Sequence, residues 1–323
     1  MKKLSKILVI VMVLSLVCCV LFACGNKEPE NATINITIPD GAPTLAMAKL
    51  MKDFSYKDYD INYEIVSGTS EIGAKMTQGQ TDISIVPTNM ASILYANGLD
   101  IKLLSSNVFG LLYIMGNGDV NATSLSDMDG KTIYCIGQGG TPDFVLQYLL
   151  QENNINATII YVASGTDVIP LLMTKKAEFA VLGEPAATMS VSKAGAKVLF
   201  DMQEEWEKLT QFNGYPQAST VVRSEIVETY PGFVKAFYEA MEENISYIEN
   251  EENLEELTNT LKDNGSAVVF SSTAVIKKCN MRVEDCATAK ASIVNYLSVL
   301  KDFNPATIGG ELPDDAFYYN ISK

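Results

Sequence analysis

Histidine is missing from all 323 residues, and arginine occurs only twice, at Arg223 and Arg282. The first absence removes the usual general base, the commonest metal ligand and any Ser-His or Cys-His nucleophile pair. No HExxH, GxSxG or P-loop motif occurs either. Carboxylate, lysine or tyrosine chemistry is all that remains for catalysis. The composition therefore points to binding, with no catalytic residue, no metal site and no cofactor expected. Arginine is the usual bidentate clamp for carboxylate or sulfonate. Neither arginine falls in a strand-end turn, which counts against a strongly anionic ligand. The formal net charge is −15. That excludes a nucleic-acid binder, since phosphate backbones demand basic patches, and otherwise implies only a soluble, self-repelling surface.

What is present begins with a leader. Lys2, Lys3 and Lys6 precede an apolar run from Ile7 to Ala23, and Cys24-Gly25 follows. A basic start, a short apolar core and small residues at its end mark a secretory signal. An uncleaved anchor helix is the alternative. Leu21-Phe22-Ala23-Cys24 resembles a bacterial lipobox, and the resemblance implies a signal peptide over 1–23 and a lipid on Cys24. Residues 24–31, polar with Pro29, then read as a flexible tether. Both alternatives place the globular part outside the cytoplasm, on the outer face of a membrane.

Of six cysteines, Cys18 and Cys19 lie in the leader. Cys135 falls in an apolar stretch and reads as core. Cys279 and Cys286 flank what reads as a short turn, KKCNMRVEDC, between helical stretches. They are either a disulfide, which the compartment permits, or two thiols, because spacing does not give geometry.

The chain contains one stretch twice. Ser67–Asp82 reads SGTSEIGAKMTQGQTD and Ser164–Glu178 reads SGTDVIPLLMTKKAE. Ser67, Gly68, Thr69, Met76 and Thr77 match Ser164, Gly165, Thr166, Met173 and Thr174 at an offset of 97. The same offset sets Thr44 on Thr141. After a one-residue gap, DISIVPTNMASIL falls against EFAVLGEPAATMS. Each copy reads as strand, Gly-rich turn, helix, strand, SGT turn, helix, strand, turn, helix. Such βαβαβ units make parallel sheets with helices on both faces, and ligands bind outside the carboxyl ends of the strands. The length beyond the leader suits two lobes.

Further motifs name a family. LSDMDGKTI, at Leu125–Ile133, resembles the entry to the second lobe of type II solute-binding proteins of ABC importers. GEPAAT at Gly183–Thr188 and IGGELPDDAFYY at Ile308–Tyr319 resemble the nitrate, sulfonate, taurine and thiamine-precursor branch of that family. The resemblance covers essentially the whole chain beyond the leader. It implies an α/β, two-lobed type II periplasmic-binding fold, each lobe a mixed, mainly parallel sheet with helices on both faces. Lobe 1 is expected to comprise 32–108 and 219–323, and lobe 2 to comprise 109–218, with Ala218–Arg223 as the returning hinge strand. The implied function is capture of a small molecule by a monomer and delivery to an ABC permease, by hinge closure. Two rivals stand beside it. One is a sensor partner of a membrane kinase. The other is an enzyme like the thiamine-pyrimidine synthases of this ancestry, which need the histidine that is absent here.

The candidate site is the set of strand-end turns. It comprises Asp40, Gly41, Ala42, Pro43 and Thr44 after the first strand, then Ser67, Gly68 and Thr69, then Thr88 and Asn89. The second copy supplies Gly139, Gly140 and Thr141, then Ser164, Gly165 and Thr166, then Glu184 and Pro185. First-turn N–H groups suit a ligand acceptor, although Ser and Thr there also serve as plain helix caps. Asp40 and Glu184 read either as solvated loop acids or as acceptors for a ligand amine or amide. Phe109, Tyr113, Phe212 and Tyr215, near the crossings, read as stacking groups for a planar ligand or as packing. With no cation in the turns, a neutral, zwitterionic or amine-bearing ligand is expected over a dianion.

Overall fold

The structure is a computed structural model that describes residues 28–321. The signal peptide expected over 1–23 and the lipid expected on Cys24 fall outside the described residues. The first copy supplies β1 (Thr33–Pro39), α1 (Ala48–Asp53), β2 (Asp60–Val66), α2 (Thr69–Thr77), β3 (Ile83–Pro87) and α3 (Thr88–Ala96). The chain continues through β4 (Ile101–Val108) and β5 (Leu112–Gly116) into the second copy. That copy supplies β6 (Thr132–Ile136), α4 (Thr141–Glu152), β7 (Thr158–Val162), α5 (Gly165–Met173), β8 (Phe179–Gly183) and α6 (Ala186–Ala194). Then come β9 (Lys197–Asp201), α7 (Met202–Thr210), β10 (Ala218–Arg223), α8 (Ser224–Thr229), α9 (Pro231–Ile248), α10 (Leu254–Asp263), α11 (Thr273–Lys277), β11 (Met281–Asp285) and α12 (Cys286–Phe303).

Two sheets result, with orders β11-β4-β10-β3-β1-β2 and β7-β6-β8-β5-β9. β1 pairs in parallel with β2 and β3, and β6 does the same with β7 and β8. In each sheet an antiparallel strand that has come from the other half slots in beside the third strand. It is β10 beside β3 in the first sheet and β5 beside β8 in the second. The two sheets thus share one wiring, as the repeated sequence implied. Composition follows position. The inner strands ISIVP and FAVLG are buried almost throughout, whereas the edge strand DINYEIV alternates, as covered and half-covered strands do.

Three segments do not follow from the sequence pattern alone. Met281–Asp285, read as part of a turn and helix, is an edge strand antiparallel to β4. Lys197–Asp201 is an edge strand on β5 that carries no long apolar run to announce it. Residues 225–250, one nearly continuous helical pattern in the sequence, break at Tyr230–Pro231, because Pro231 has no N–H to continue a helix and instead opens α9.

The expected flexible tether also differs where it is described. Glu28 accepts from the hydroxyls of Tyr56 (3.0 Å) and Tyr59 (3.3 Å) and from the Phe233 N–H (3.0 Å) at the start of α9. Pro29 and Glu30 carbonyls accept from Tyr59 and from the Asp58 N–H. A carboxylate at a helix N-terminus is favourable, and Gly232 leaves it room, since a Cβ there would lie 2.5 Å from Glu28 Oε2. The start of the described chain is therefore held against Tyr56, Asp58, Tyr59 and the start of α9. Among the described residues no helix is long and apolar enough to cross a membrane.

Cys135, Cys279 and Cys286 are unpaired and buried, so the two-thiol alternative holds. Cys279 Sγ turns to the Val275 carbonyl and Cys286 Sγ to the Leu103 carbonyl (2.9 Å). Burial pushes the Cys135 and Cys286 thiols up to about 12, and also raises Cys279. None is a nucleophile at neutral pH.

The chain crosses between the sheets at 109–111 and again before β10. Gly110 (φ 67°) and Gly214 (φ 80°) lie in these crossings with the Gln203 side chain against both. A Cβ on Gly110 would stand 2.0 Å from Gln203 Oε1 and 2.7 Å from the Tyr215 ring. Gly98 has a similar φ of 86° but open space beside it. Gly98→Ala is expected to cost about 1 kcal/mol, the backbone effect of a side chain at positive φ. Gly110→Ala is expected to cost about 1–3 kcal/mol more through overpacking. Urea unfolding of both variants measures the difference, and equal losses would contradict the close packing at the crossing.

Candidate functional site

The carboxyl ends of β1, β2, β3 and β6 open on one cavity of about 390 Å³. From the first sheet come Pro39, Asp40 and Pro43 after β1, Thr69 at the start of α2, and Val86, Pro87, Asn89 and Met90 around the end of β3. From the second sheet come Gly139, Gly140, Thr141 and Pro142. Gln217 and Ala218 line the cavity from the second crossing. The volume is that of a small-molecule site. It lies between the two sheets.

Local sequence explains each wall. Gly139 takes φ 71°, a conformation suited to glycine, and its N–H donates to Asp143 Oδ2 (2.9 Å). Pro43 and Pro142 lie in the first turns after β1 and β6, where a missing N–H does no harm. Thr141 turns its hydroxyl away, to Tyr296 OH at 2.8 Å on α12. Asp40 is held in place by three donors. The Gly41 N–H (3.0 Å) and the Ser266 hydroxyl (2.5 Å) reach Oδ1, and the Ala267 N–H (2.9 Å) reaches Oδ2.

Of the residues singled out from sequence, Asp40, Pro43, Thr69, Asn89, Gly139, Gly140 and Thr141 meet at this cavity. The others do not line it. Ala42 and Thr44 are core, and the Thr44 hydroxyl donates to the Gly41 carbonyl. Gly41 forms the turn, while Ser67 and Gly68 precede the helix start without a side-chain cap bond. Thr88 is fully buried with its hydroxyl on Ser219 (2.8 Å), behind the wall rather than on it.

The second copy departs further. Ser164 caps its own helix by accepting from the Asp167 N–H, and its hydroxyl donates to Asp167 Oδ2 (2.7 Å). Thr166 bonds the same hydroxyl, and Gly165 packs towards Ala186 and Leu182. Glu184, taken as an acceptor for the ligand, has a side chain only 1% exposed. Its carboxylate accepts from the Thr188 N–H (3.1 Å) and hydroxyl (2.8 Å), with Lys278 Nζ 3.9 Å away. Glu184 and its neighbour Pro185 therefore shape the start of α6 rather than the cavity. The partner four residues on was visible in the sequence as Thr188, and nothing in composition ranked it above a ligand.

Three of the four aromatics near the crossings pack. Phe109 is buried under the Arg282 guanidinium (3.9 Å). Tyr113 OH donates to the Lys278 carbonyl. Tyr215 is buried between Trp206 (5.4 Å) and Tyr296 (6.1 Å), and burial raises its hydroxyl pKa strongly. Phe212 does not line the cavity. Arg223 donates to the Met76 carbonyl, so neither arginine reaches the site. Gln217 and Met90 went unnoticed in the sequence. Met90 carries the apolar signal of an ordinary helix residue, and Gln217 follows Tyr215-Pro216 with none at all.

The family model described as NMT1/THI5 like matches residues 50–253. Solved structures with the same fold include an ABC transporter from Parabacteroides distasonis. It is 21% identical with a TM-score of 0.76, covering 89% of this chain and 99% of that one. The periplasmic aliphatic sulphonate binding protein of Escherichia coli is 13% identical with a TM-score of 0.68, covering 91% and 93%. The periplasmic nitrate-binding protein of Synechocystis PCC 6803 is 16% identical with a TM-score of 0.62, covering 86% and 83%. A comparison with curated protein sequences gives no match. Two sheets of one wiring, facing each other across a cavity at their strand ends, are the type II periplasmic-binding architecture. By the match over 50–253, the chain belongs to the NMT1/THI5-like family.

Proposed function

We propose that the chain is an extracytoplasmic, lipid-anchored solute-binding protein that captures a small molecule and delivers it to an ABC import permease. The observation that carries the proposal is the shared cavity, to which both sheets and the second crossing contribute walls. A ligand held there touches Asp40, Thr69 and Asn89 on one side and Gly139–Pro142 on the other. Contacts to both sides form together only when the lobes approach, so ligand shifts an open–closed equilibrium towards the closed form. The lobes would be 32–108 with 219–323, and 109–218, and the permease would read the closed form. The names of the structural relatives, binding proteins for aliphatic sulphonate and nitrate and an ABC transporter, agree with this role.

The anchor belongs to the same proposal. The sequence Leu21–Cys24 after a basic, apolar leader supports lipid on Cys24. Glu28 is fixed on α9, and Cys24 precedes it by only four residues, a span of at most about 14 Å. The protein would therefore sit close to the bilayer with the start of α9 facing it.

Two measurements test the proposal. X-ray scattering with a saturating stabilising ligand is expected to give a smaller radius of gyration than the free protein, and an unchanged radius would contradict closure. Metabolic labelling with a fatty-acid analogue is expected to mark the wild type and not Cys24→Ser. Label on the variant would place the lipid elsewhere.

A further inference from the structure

We infer that Tyr296 is a positioning residue of the cleft, which fixes the second-sheet wall of the cavity to a helix packed on the first sheet. The inference rests on the solute-binding reading above and adds a residue outside the cavity to its machinery. Thr141 lines the cavity at the start of α4. Its hydroxyl lies 2.8 Å from the Tyr296 hydroxyl on α12. That helix follows β11 directly, and the Cys286 thiol in its first turn reaches the Leu103 carbonyl on β4. Tyr296 is fully buried, so no water competes for the bond, and either hydroxyl left there without a partner is unfavourable.

The same two helices meet a second time. Tyr148 on α4 stands edge-on to Phe303 on α12, with ring centroids 6.5 Å apart. Thr141 and Tyr148 are seven residues apart, and so are Tyr296 and Phe303. Seven residues make two helical turns, which return a side chain to nearly the same face. The contacts therefore run in the same order along both helices, and separating α4 from α12 breaks both. The Tyr296 ring also stacks on Tyr215 (6.1 Å, interplanar 22°) in the second crossing and meets Trp206 on α7 (6.0 Å). Around Thr141 the turn is fully bonded. The Gly139 N–H donates to Asp143 Oδ2 (2.9 Å), the Gly140 N–H to the Gly137 carbonyl (2.9 Å) and the Phe144 N–H to the Gly140 carbonyl (3.1 Å). A displacement of Thr141 is carried into these bonds, and with them into the Gly139–Gly140 wall.

Native-state hydrogen exchange of the free protein tests the inference, read at the amides of Gly139, Gly140 and Phe144. Tyr296→Phe removes one hydroxyl and keeps the ring, while Thr141→Val removes the other and keeps the shape. Each is expected to speed exchange at these amides about three- to tenfold, the worth of one hydrogen bond, while amides of β1 and β3 keep wild-type rates. The double variant is expected to go no further than either single one, because both act on one bond. Tyr318→Phe, which removes a buried hydroxyl without a partner, is expected to leave these amides unchanged. Wild-type exchange in either single variant, or additive effects in the double one, overturns the positioning role. Faster exchange spread evenly over the chain, or the same acceleration in Tyr318→Phe, does so too, since plain loss of packing would give either. None of these results touches solute capture, whose failure would show instead as an unchanged radius of gyration in the scattering experiment above.

Discussion

Two bare α-carbons fix how the halves of this protein meet. Gly110 and Gly214 lie in the two crossings, and the Gln203 side chain occupies the space that a Cβ on either would need. Around that point the Asn280 side chain donates to the Gly110 carbonyl (2.7 Å), and the Phe109 N–H donates to the Asn280 carbonyl (3.2 Å). Trp206, Tyr215 and Tyr296 form an aromatic brace from α7 through the crossing to α12. The crossings are thus narrow and packed on one side. On the other side they carry Gln217 and Ala218, which face the cavity. The packed crossings and one wall of the cavity thus involve the same few residues.

The rest of the geometry follows from parallel strands. Each β-to-α turn must emerge at the carboxyl end of its strand, so six turns from two like-wired sheets gather at two facing ends. Four of the six reach the cavity here. The turns after β7 and β8 are held in internal bonds, Ser164 with Asp167 and Glu184 with Thr188. The site is therefore lopsided, with most of its wall on the first sheet.

Much of this was legible in the sequence. The 97-residue offset gave both βαβαβ units, the family motifs gave the architecture, and glycine and proline in the turns after β1 and β6 marked true cavity walls. What escaped has physical reasons. Edge strands such as Lys197–Asp201 need no continuous apolar run, because one side of them is wet. Glu184 and Ser164 look like free polar groups until the fold brings Thr188 and Asp167 to them, one helical turn on. Glu28 looks like part of a polar tether because its partner, the Phe233 N–H, lies 205 residues away. Gln217 has no pattern around it, and only the location of the crossing puts it on the ligand side.

The central claim is that ligand binds at the ends of β1, β3 and β6 against the second crossing. Hydrogen–deuterium exchange with and without a stabilising ligand tests it most directly. Slower exchange is expected in 40–44, 87–91, 139–144 and 217–219, with little change in 164–168 and 184–188. Protection concentrated in the last two segments, with the first four unchanged, would contradict the account.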